Sequence, residues 1–477
     1  MRIKLPLLFV FTICALMVSA QTVLYVDSAA NGNNSGNSWA NAYNDLQSAL
    51  DKVHLPANSA TNYEIRLAKG TYMPTKQYGN FYTYALSRGG VKIYGGYNAK
   101  NGSKDFIANP TILDGMTDSK WANGVISTRS EHILVIAGIP STAIEIEIEG
   151  ITFARGSGAT YQNDDHPPFY VNGKEISAAY GGAIYMVDVV ATTTIKHCRF
   201  LKNYAGSGGA IYNYKSNLTL HNCLFEKNEV FKPCSSFQCF GTYFTLNGSA
   251  ILNEGGKIMI NNSVFTFNIS AYGGPVTNAR DPQSIVEINN SIFYKNLSIN
   301  NAGIYANAGK IKVTNSIFTY NETNGGVALA DGEGIEISNS ILWYHKLNVP
   351  NAQVRFVHST AIVTNSLVEG GYSGNGNIDG DPLFVDIENG AGPDKVWGTA
   401  DDGLRFTPGS PVLNKGNNAK IPPGLNTDIM GNARIADGTV DLGPYEGGAC
   451  PKVIYVDANV TSSGNGRSWQ TALKTLH

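Results

Sequence analysis

The chain has 477 residues, of which 43% are hydrophobic and 15% are charged, and its formal net charge is −2. This near-neutral charge, without a basic run, argues against a nucleic-acid partner and against binding to an anionic membrane surface. The length exceeds one ordinary globular domain, but a repeat protein can reach it without a larger spherical core.

Residues 1–20 have the pattern of a secretory signal peptide. Arg2 and Lys4 precede an apolar run from Leu5 to Met17, and small residues follow up to Ala20. This order predicts cleavage after Ala20 and export of the chain that follows. No later segment has the roughly 18 uncharged apolar residues of a membrane helix, so the mature chain is predicted to lack a transmembrane segment.

Residues 21–60 are predicted to form a short strand, a turn rich in Gly and Asn, and an amphipathic helix. Ser38 is the expected N-cap of that helix. Its apolar residues are expected on one side: Trp39, Leu46, Ala49, Leu50 and Val53. Such a helix would cover the unpaired strand edges at one end of a β-helix.

Residues 61–369 contain a repeat with the periodicity of strands. Seven clear copies of the repeat begin at Ile195, Leu220, Ile260, Ile288, Val313, Ile337 and Val363. The first five end in F-x-x-N, starting at Phe200, Phe225, Phe265, Phe293 and Phe318. Apolar and polar residues alternate within a copy, as in a strand, and a regular period of this length predicts a solenoid. The segment is therefore predicted to be a parallel β-helix.

Identical residue types recur at fixed positions of the repeat. A first column holds His197, Asn222, Asn262, Asn290, Asn315, Asn339 and Asn365, and a second holds the Asn that ends each F-x-x-N. We expect the first column to form a buried ladder in which each amide bonds its neighbours. His197 is interpreted as a structural member of it. Cys198 and Cys223 occupy positions where Ser stands in the later copies, which favours buried small side chains.

A second signature, G-G-A-I-Y, begins at Gly181 and Gly208 and predicts a tight corner with positive φ. Four residues usually precede this corner, but 157–180 and 229–247 are long insertions two copies apart. At about 4.8 Å per turn they would emerge about 10 Å from each other on one edge. Aromatic and acidic groups there favour a ligand-binding surface for carbohydrate, formed by Tyr161, Asp164, Asp165, His166, Tyr170, Tyr204, Phe237 and Tyr243. The alternative is that these aromatic residues only pack the loops onto the wall.

Cys234 and Cys239 lie close together in the second insertion. In an exported protein they are predicted to form a disulfide.

No catalytic residue is assigned from the sequence. A glycoside hydrolase needs two opposed carboxylates, and no spacing selects a pair from the acidic residues Asp164, Asp165, Glu175, Asp188 and Glu226.

Residues 370–448 are rich in Gly, Pro and Asp, and we expect them to form an irregular C-terminal cap. Asp394, Asp401 and Asp402 stand close enough to hold calcium through carboxylate and carbonyl oxygens. Turns capped by these aspartates are the alternative interpretation. No other cofactor is predicted.

Residues 449–477 begin a second copy of the opening segment. Residues 453–476 match 23–46 at a constant offset, including Tyr25 with Tyr455 and Trp39 with Trp469. We expect the natural protein to continue beyond His477, so that this chain is a monomeric module of a longer one.

The GGAI and F-x-x-N repeats resemble those of bacterial polymorphic outer-membrane proteins. The flanking YVD...SW and DPLFVD...PGSP...VDLGPYE segments are similar to modules of large β-helix surface proteins. The resemblance implies an all-β, right-handed parallel β-helix, secreted or at the outer-membrane surface of a bacterium. It implies an adhesin or scaffold that binds a polysaccharide or cell-surface ligand. Some members of the wider pectate-lyase-like superfamily cleave polysaccharides, so a lyase or hydrolase is the alternative.

Overall fold

The computed structural model describes residues 21–58, 61–79, 81–115, 130–158, 167–230, 247–299, 301–347, 353–356, 359–447, 455–461, 469 and 472–475. The predicted signal peptide lies outside these residues. The fold is all-β, a right-handed parallel β-helix, as predicted. Alternating apolar residues point inward on every turn, so the core is one continuous column of side chains.

The largest sheet, called the long sheet, has eighteen parallel strands and receives two strands from most turns. Its strands are Gln21–Val26, Asn62–Ala68, Tyr84–Leu86, Val91–Tyr97, Leu134–Ile139, Ile146–Glu149, Ile184–Val189, Thr193–Lys196, Ile211–His221, Ile251–Asn261, Val276–Asn278, Ile285–Asn289, Asn301–Ala306, Lys310–Thr314, Gly326–Ala330, Gly334–Ser338, Val354–Phe356 and Ala361–Thr364.

Two further parallel sheets complete each turn. The Phe sheet has ten strands: Gly70–Tyr72, Thr111–Asp114, Ile151–Ala154, Arg199–Leu201, Leu224–Glu226, Val264–Thr266, Ile292–Tyr294, Ile317–Thr319, Ile341–Trp343 and Leu367–Val368. The small sheet has six: Tyr204–Ala205, Glu229–Val230, Ile269–Ser270, Leu297–Ser298, Glu322–Thr323 and Lys346–Leu347. Two antiparallel hairpins lie outside the coil, Gln77–Tyr78 with Phe81–Tyr82 and Phe169–Val171 with Lys174–Ile176.

The α-helix Leu46–Val53 covers the first turn, and short 3-10 helices span Pro56–Asn58 and Asn418–Lys420. The predicted N-cap was wrong, because Asp45 caps the helix by accepting a hydrogen bond from the Ser48 N–H at 2.8 Å. Ser38 instead accepts from the Asn41 N–H in the preceding turn. Both residue types suit an N-cap, so composition did not distinguish them.

The aromatic residues of F-x-x-N, together with Phe153 on the preceding turn, form a stack through the core. Ring centroids of successive members lie 4.5–5.2 Å apart with nearly parallel planes, and all are fully buried. The stack consists of Phe153, Phe200, Phe225, Phe265, Phe293 and Phe318.

The amide ladder lies in the second Asn column, not in the first. Each amide NH₂ donates to the backbone oxygen of a core Phe, and in all members but the last, Asn321, it also donates to the side-chain oxygen of the next member at 3.0 Å. The ladder consists of Asn203, Asn228, Asn268, Asn296 and Asn321. The prediction of a continuous ladder in the first column was therefore wrong.

The first column forms the corner between the long sheet and the Phe sheet. All seven residues have φ between 47° and 51°, a left-handed conformation that Asn tolerates better than most residues. Three of their amides donate to backbone oxygens of the C-terminal segment: Asn290 to Thr427, Asn315 to Asp441 and Asn339 to Asn417.

The C-terminal segment, residues 370–447, turns back along the side of the coil. It covers the outward apolar residues of the Phe sheet, so it buries a second apolar layer outside the core. The residues packed there include Val264, Ile292, Ile317, Ile341, Leu404, Val412, Leu442 and Tyr445.

Candidate functional site

Two of the eight residues predicted for the recognition edge lie within the described part of the chain, Tyr170 and Tyr204. The other six fall outside it: Tyr161, Asp164, Asp165, His166, Phe237 and Tyr243. The predicted disulfide of Cys234 and Cys239 also lies outside the described residues. Cys198 and Cys223 are buried and not linked to each other.

The hairpin within 157–180 packs on the outer face of the long sheet. Phe169 is buried and its ring lies 5.6 Å from that of Phe81, whereas Tyr170 is 60% exposed. The apolar residues beneath this region include Val135, Ala137, Tyr185 and Val187. The hairpin is thus part of the wall, in agreement with the packing alternative. Tyr204 lies in the small sheet, in register with Glu229.

A group of tyrosines lies beside the corner where this insertion ends. Tyr180 stacks on Tyr212 at 4.8 Å between centroids, and Tyr185 lies 4.9 Å from Tyr212. Tyr214 follows two residues later on the same strand, and its ring stacks at 6.3 Å. Tyr180 and Tyr214 are partly exposed, while Tyr185 and Tyr212 are buried beneath them.

An acidic and a basic group complete this arrangement. The Tyr212 hydroxyl donates to Glu254 at 2.9 Å, and Arg280 Nε lies 3.2 Å from the same carboxylate. The Glu254 side chain is 4% exposed and that of Arg280 is 48% exposed. Burial raises the pKa of the Glu254 carboxyl, and Arg280 and the Tyr212 hydroxyl oppose this effect. We call Tyr180, Tyr212, Tyr214, Glu254 and Arg280 the tyrosine cluster.

The arrangement fixes a cation and exposes it to solvent. Glu254 and the Tyr180 side chain both hold the guanidinium, and the Arg280 side chain is 48% exposed. A half-exposed guanidinium beside aromatic rings can pack on the face of a sugar ring.

Sequence analysis did not identify this cluster. Tyr212 and Tyr214 alternate along one strand and therefore point to the same face, a signal that the sequence contains. Glu254 and Arg280 are 42 and 68 residues from Tyr212, and only the register of the turns places them beside it.

The predicted calcium residues accept hydrogen bonds within turns. Asp394 accepts from the Val396 N–H at 2.7 Å, Asp401 from the Asp394 N–H at 3.2 Å, and Asp402 from the Gly398 N–H at 2.8 Å. Within the described ranges, no group of three or more His, Cys, Asp or Glu side chains is placed to hold a metal ion. This geometry agrees with the alternative of capped turns, and the calcium site stays a prediction.

The other polar residues considered from the sequence have structural partners. His197 stacks on Phe106 at 5.2 Å, and its Nδ1 lies 3.1 Å from Glu149. Asp188 pairs with Lys174 at 2.7 Å. Glu226 pairs with Lys227 at 3.1 Å.

No protein-family model matches the chain, and no curated protein matches its sequence. Among solved structures, it is similar to the pectate lyase Pel9A at 14% identity and a TM-score of 0.46, over 90% of this chain and 96% of that chain. It is also similar to a rhamnogalacturonan lyase at 12% identity and a TM-score of 0.40, over 81% and 97%. Likeness at this level does not extend to residues or reactions.

In the part of the chain that the structure describes, no helix has the length and apolar character needed to cross a membrane.

Proposed function

We propose that the protein is an exported β-helix module that binds a polysaccharide or a cell-surface glycan through the tyrosine cluster. The observation that carries this proposal is the tyrosine stack beside Arg280, which Glu254 holds in place. Aromatic faces pack against the apolar faces of sugar rings, and a guanidinium donates hydrogen bonds to their hydroxyl or carboxylate groups.

Glycan-array binding of the complete chain tests this function. Tyr214→Ala removes a partly exposed ring, and Arg280→Lys removes the planar guanidinium but keeps a cation for the buried Glu254, so each is expected to weaken binding at least about tenfold while the fold is retained. Tyr170→Ala is the matched control, because it removes an exposed tyrosine outside the cluster. Equal binding by parent, Tyr214→Ala and Arg280→Lys would contradict the proposal.

A carbohydrate-active enzyme is the second candidate, supported by the raised pKa of the buried Glu254. Perturbed carboxyl groups beside a cation occur in catalytic sites, where they transfer protons. The test is the release of unsaturated products or new reducing ends from a panel of acidic and neutral polysaccharides. Activity that Glu254→Gln abolishes would favour the enzyme, and binding without turnover would favour the adhesin or scaffold.

A further inference from the structure

We propose that a groove on another part of the long sheet binds a phosphorylated sugar, with the phosphate held between Lys312 and Lys420. The groove has a volume of about 400 Å³ and lies between the outer face of the last turns and residues 420–423 of the C-terminal segment. This volume is in the range of pockets that hold one small ligand. The groove shares no residue with the tyrosine cluster, so the inference does not depend on the function proposed above.

Both carboxylates that line the groove have a cation of their own. Lys257 Nζ lies 3.4 Å from Glu287 Oε1 on the adjacent turn, and Lys310 pairs with Glu336 in the same way. Both of these lysines lie outside the lining. The carboxylates therefore do not need a lysine of the lining to balance their charge, and their other lone pairs can accept hydrogen bonds from hydroxyl groups.

The two lysines of the lining itself are left without a carboxylate. Within the described ranges, neither Lys312 nor Lys420 forms an ion pair. The groove and its flanking pairs thus contain four lysines and two glutamates, which gives a net charge of +2. An excess of two positive charges favours a ligand group with two negative charges. A phosphate monoester carries about −1.5 to −2 at neutral pH, and lysine binds phosphate as a point charge.

Both of these lysines stand on backbone that is fixed before a ligand binds. Lys312 is central in a strand that is paired on both sides. Lys420 ends a 3-10 helix, and the residue before that helix, Asn417, exchanges two hydrogen bonds with Asn339 of the coil, at 2.8 and 3.0 Å. One cation thus lies on the floor of the groove and the other on its wall, so little backbone has to be ordered on binding.

The wall beside Lys420 is apolar. Pro422 and Pro423 form it, with φ fixed by their rings. Ile362, 52% exposed, adds apolar surface on the floor. A preformed apolar surface of this kind suits the face of a sugar ring.

Three parts of the lining therefore match three different groups on one ligand. The unpaired lysines need an anion, the paired carboxylates accept from hydroxyls, and the prolines need an apolar face. A sugar phosphate has all three groups. A fatty acid lacks the hydroxyls, inorganic phosphate lacks the apolar face, and a uronic acid supplies only one negative charge per unit. Asn289, Thr314 and Ser338 on the floor are buried and bonded to side chains of adjacent turns, so they are not expected to contact the ligand.

Titration calorimetry with the complete chain at neutral pH tests the proposal. The probes are the phosphate monoesters of glucose, mannose and N-acetylglucosamine, compared with inorganic phosphate, glucose sulfate, glucose and an oligogalacturonate. The parent should bind at least one sugar phosphate at least about tenfold more tightly than each comparison compound. Lys312→Gln and Lys420→Gln should each weaken that binding at least about fivefold, because each removes one of the two positive charges. Lys395→Gln is the matched control, since Lys395 is exposed in the same C-terminal segment and lies outside the groove.

The inference is overturned if the folded parent binds no sugar phosphate, if any comparison compound binds as tightly, or if both lysine variants bind as well as the parent. If circular dichroism shows that Lys312→Gln is unfolded, Lys420→Gln decides, because Lys420 is exposed on the wall. The binding of that variant must then fall. Tyr214→Ala separates the two sites, since it should leave sugar phosphate binding intact whether or not the tyrosine cluster binds a glycan.

Discussion

At the scale of residues, asparagine has two different roles in this coil. In the ladder column the residues are at most 1% exposed, and their side-chain amides form hydrogen bonds with neighbouring amides and with a Phe carbonyl. In the corner column the backbone is left-handed, so Asn is favoured for its conformation rather than for bonds to the same column. The same residue type is therefore selected by buried polar groups in one place and by backbone geometry in the other.

Replacing Asn268 with Leu should destabilise the protein by about 1–3 kcal/mol, because the Asn228 amide, the Asn296 side-chain oxygen and the Phe225 carbonyl each lose their hydrogen bond to the Asn268 side chain. The measurement is the midpoint of urea denaturation. Asn262→Gly is the control, because Gly accepts the corner conformation and Asn262 Oδ1 has no hydrogen-bond partner. Equal midpoints for parent and Asn268→Leu would show that the ladder does not stabilise the coil.

The periodicity of the sequence was sufficient to predict the repeat and the left-handed glycine corners. It was not sufficient to locate the ladder, because both Asn columns recur with the same period. What distinguishes them is contact with distant segments, such as that of Asn315 with Asp441, 126 residues away. The tyrosine cluster likewise forms because residues of different turns lie side by side. That alignment of the turns cannot be deduced from a local sequence pattern.

At the scale of elements, the hairpin Phe169–Val171 with Lys174–Ile176 acts as a cover. Its buried residues pack on the outer face of the long sheet, which is apolar at Val135, Ala137 and Val187. Insertions that only bind a ligand can be shortened at little cost, since closure entropy changes slowly with loop length. An insertion that buries apolar surface cannot be shortened at little cost, because the surface beneath it becomes exposed.

Deletion of residues 167–176 should therefore lower the thermal midpoint, because the apolar face beneath the hairpin becomes exposed. Tyr170→Ala in the same hairpin should leave the midpoint unchanged, as that side chain is 60% exposed. Differential scanning calorimetry compares the two variants with the parent. A deletion variant as stable as the parent would mean that the hairpin adds no packing energy.

The docking of the C-terminal segment is expected to depend on pH through Asp441. Burial raises the pKa of Asp441 to about 6, although the Asn414 and Gly447 N–H groups and Arg434 oppose this effect. The unfolded chain releases this proton near pH 3.9, about two pH units lower. Between these values the folded state holds a proton that the unfolded state has lost, so the free energy of unfolding falls as pH rises from about 4 to 6.

Urea denaturation at several pH values from 4 to 6 measures this slope. Asp441→Asn should make the decline shallower than in the parent, because the titrating group has been removed. Glu333→Gln, an exposed site, should leave the slope as it is. A parent and an Asp441→Asn variant with the same slope would assign the pH dependence to other groups.

At the scale of the whole molecule, the C-terminal segment connects turns that otherwise contact only their neighbours. In a simple solenoid, stability is a sum of single repeats and adjacent interfaces. Here the Tyr294 hydroxyl donates to the backbone oxygen of Glu388, and the buried Arg434 donates to Asn290 at 3.1 Å and to Glu446 at 2.6 Å. These bonds cross several turns, so the last turns and the segment should unfold as one unit.

Hydrogen exchange read by mass spectrometry tests this coupling. A chain ended after residue 371 would expose Ile292, Ile317 and Ile341, which the segment covers in the complete chain. Backbone amides of residues 285–368 should then lose protection, while those of 134–230 keep it, because local opening follows lost apolar contacts.

Arg434→Met in the complete chain is the milder test. It leaves Glu446 buried without its cation, so it should reduce protection in the same turns and not elsewhere. Loss spread evenly over the coil, or no loss, would show that each turn is stabilised by its neighbours alone.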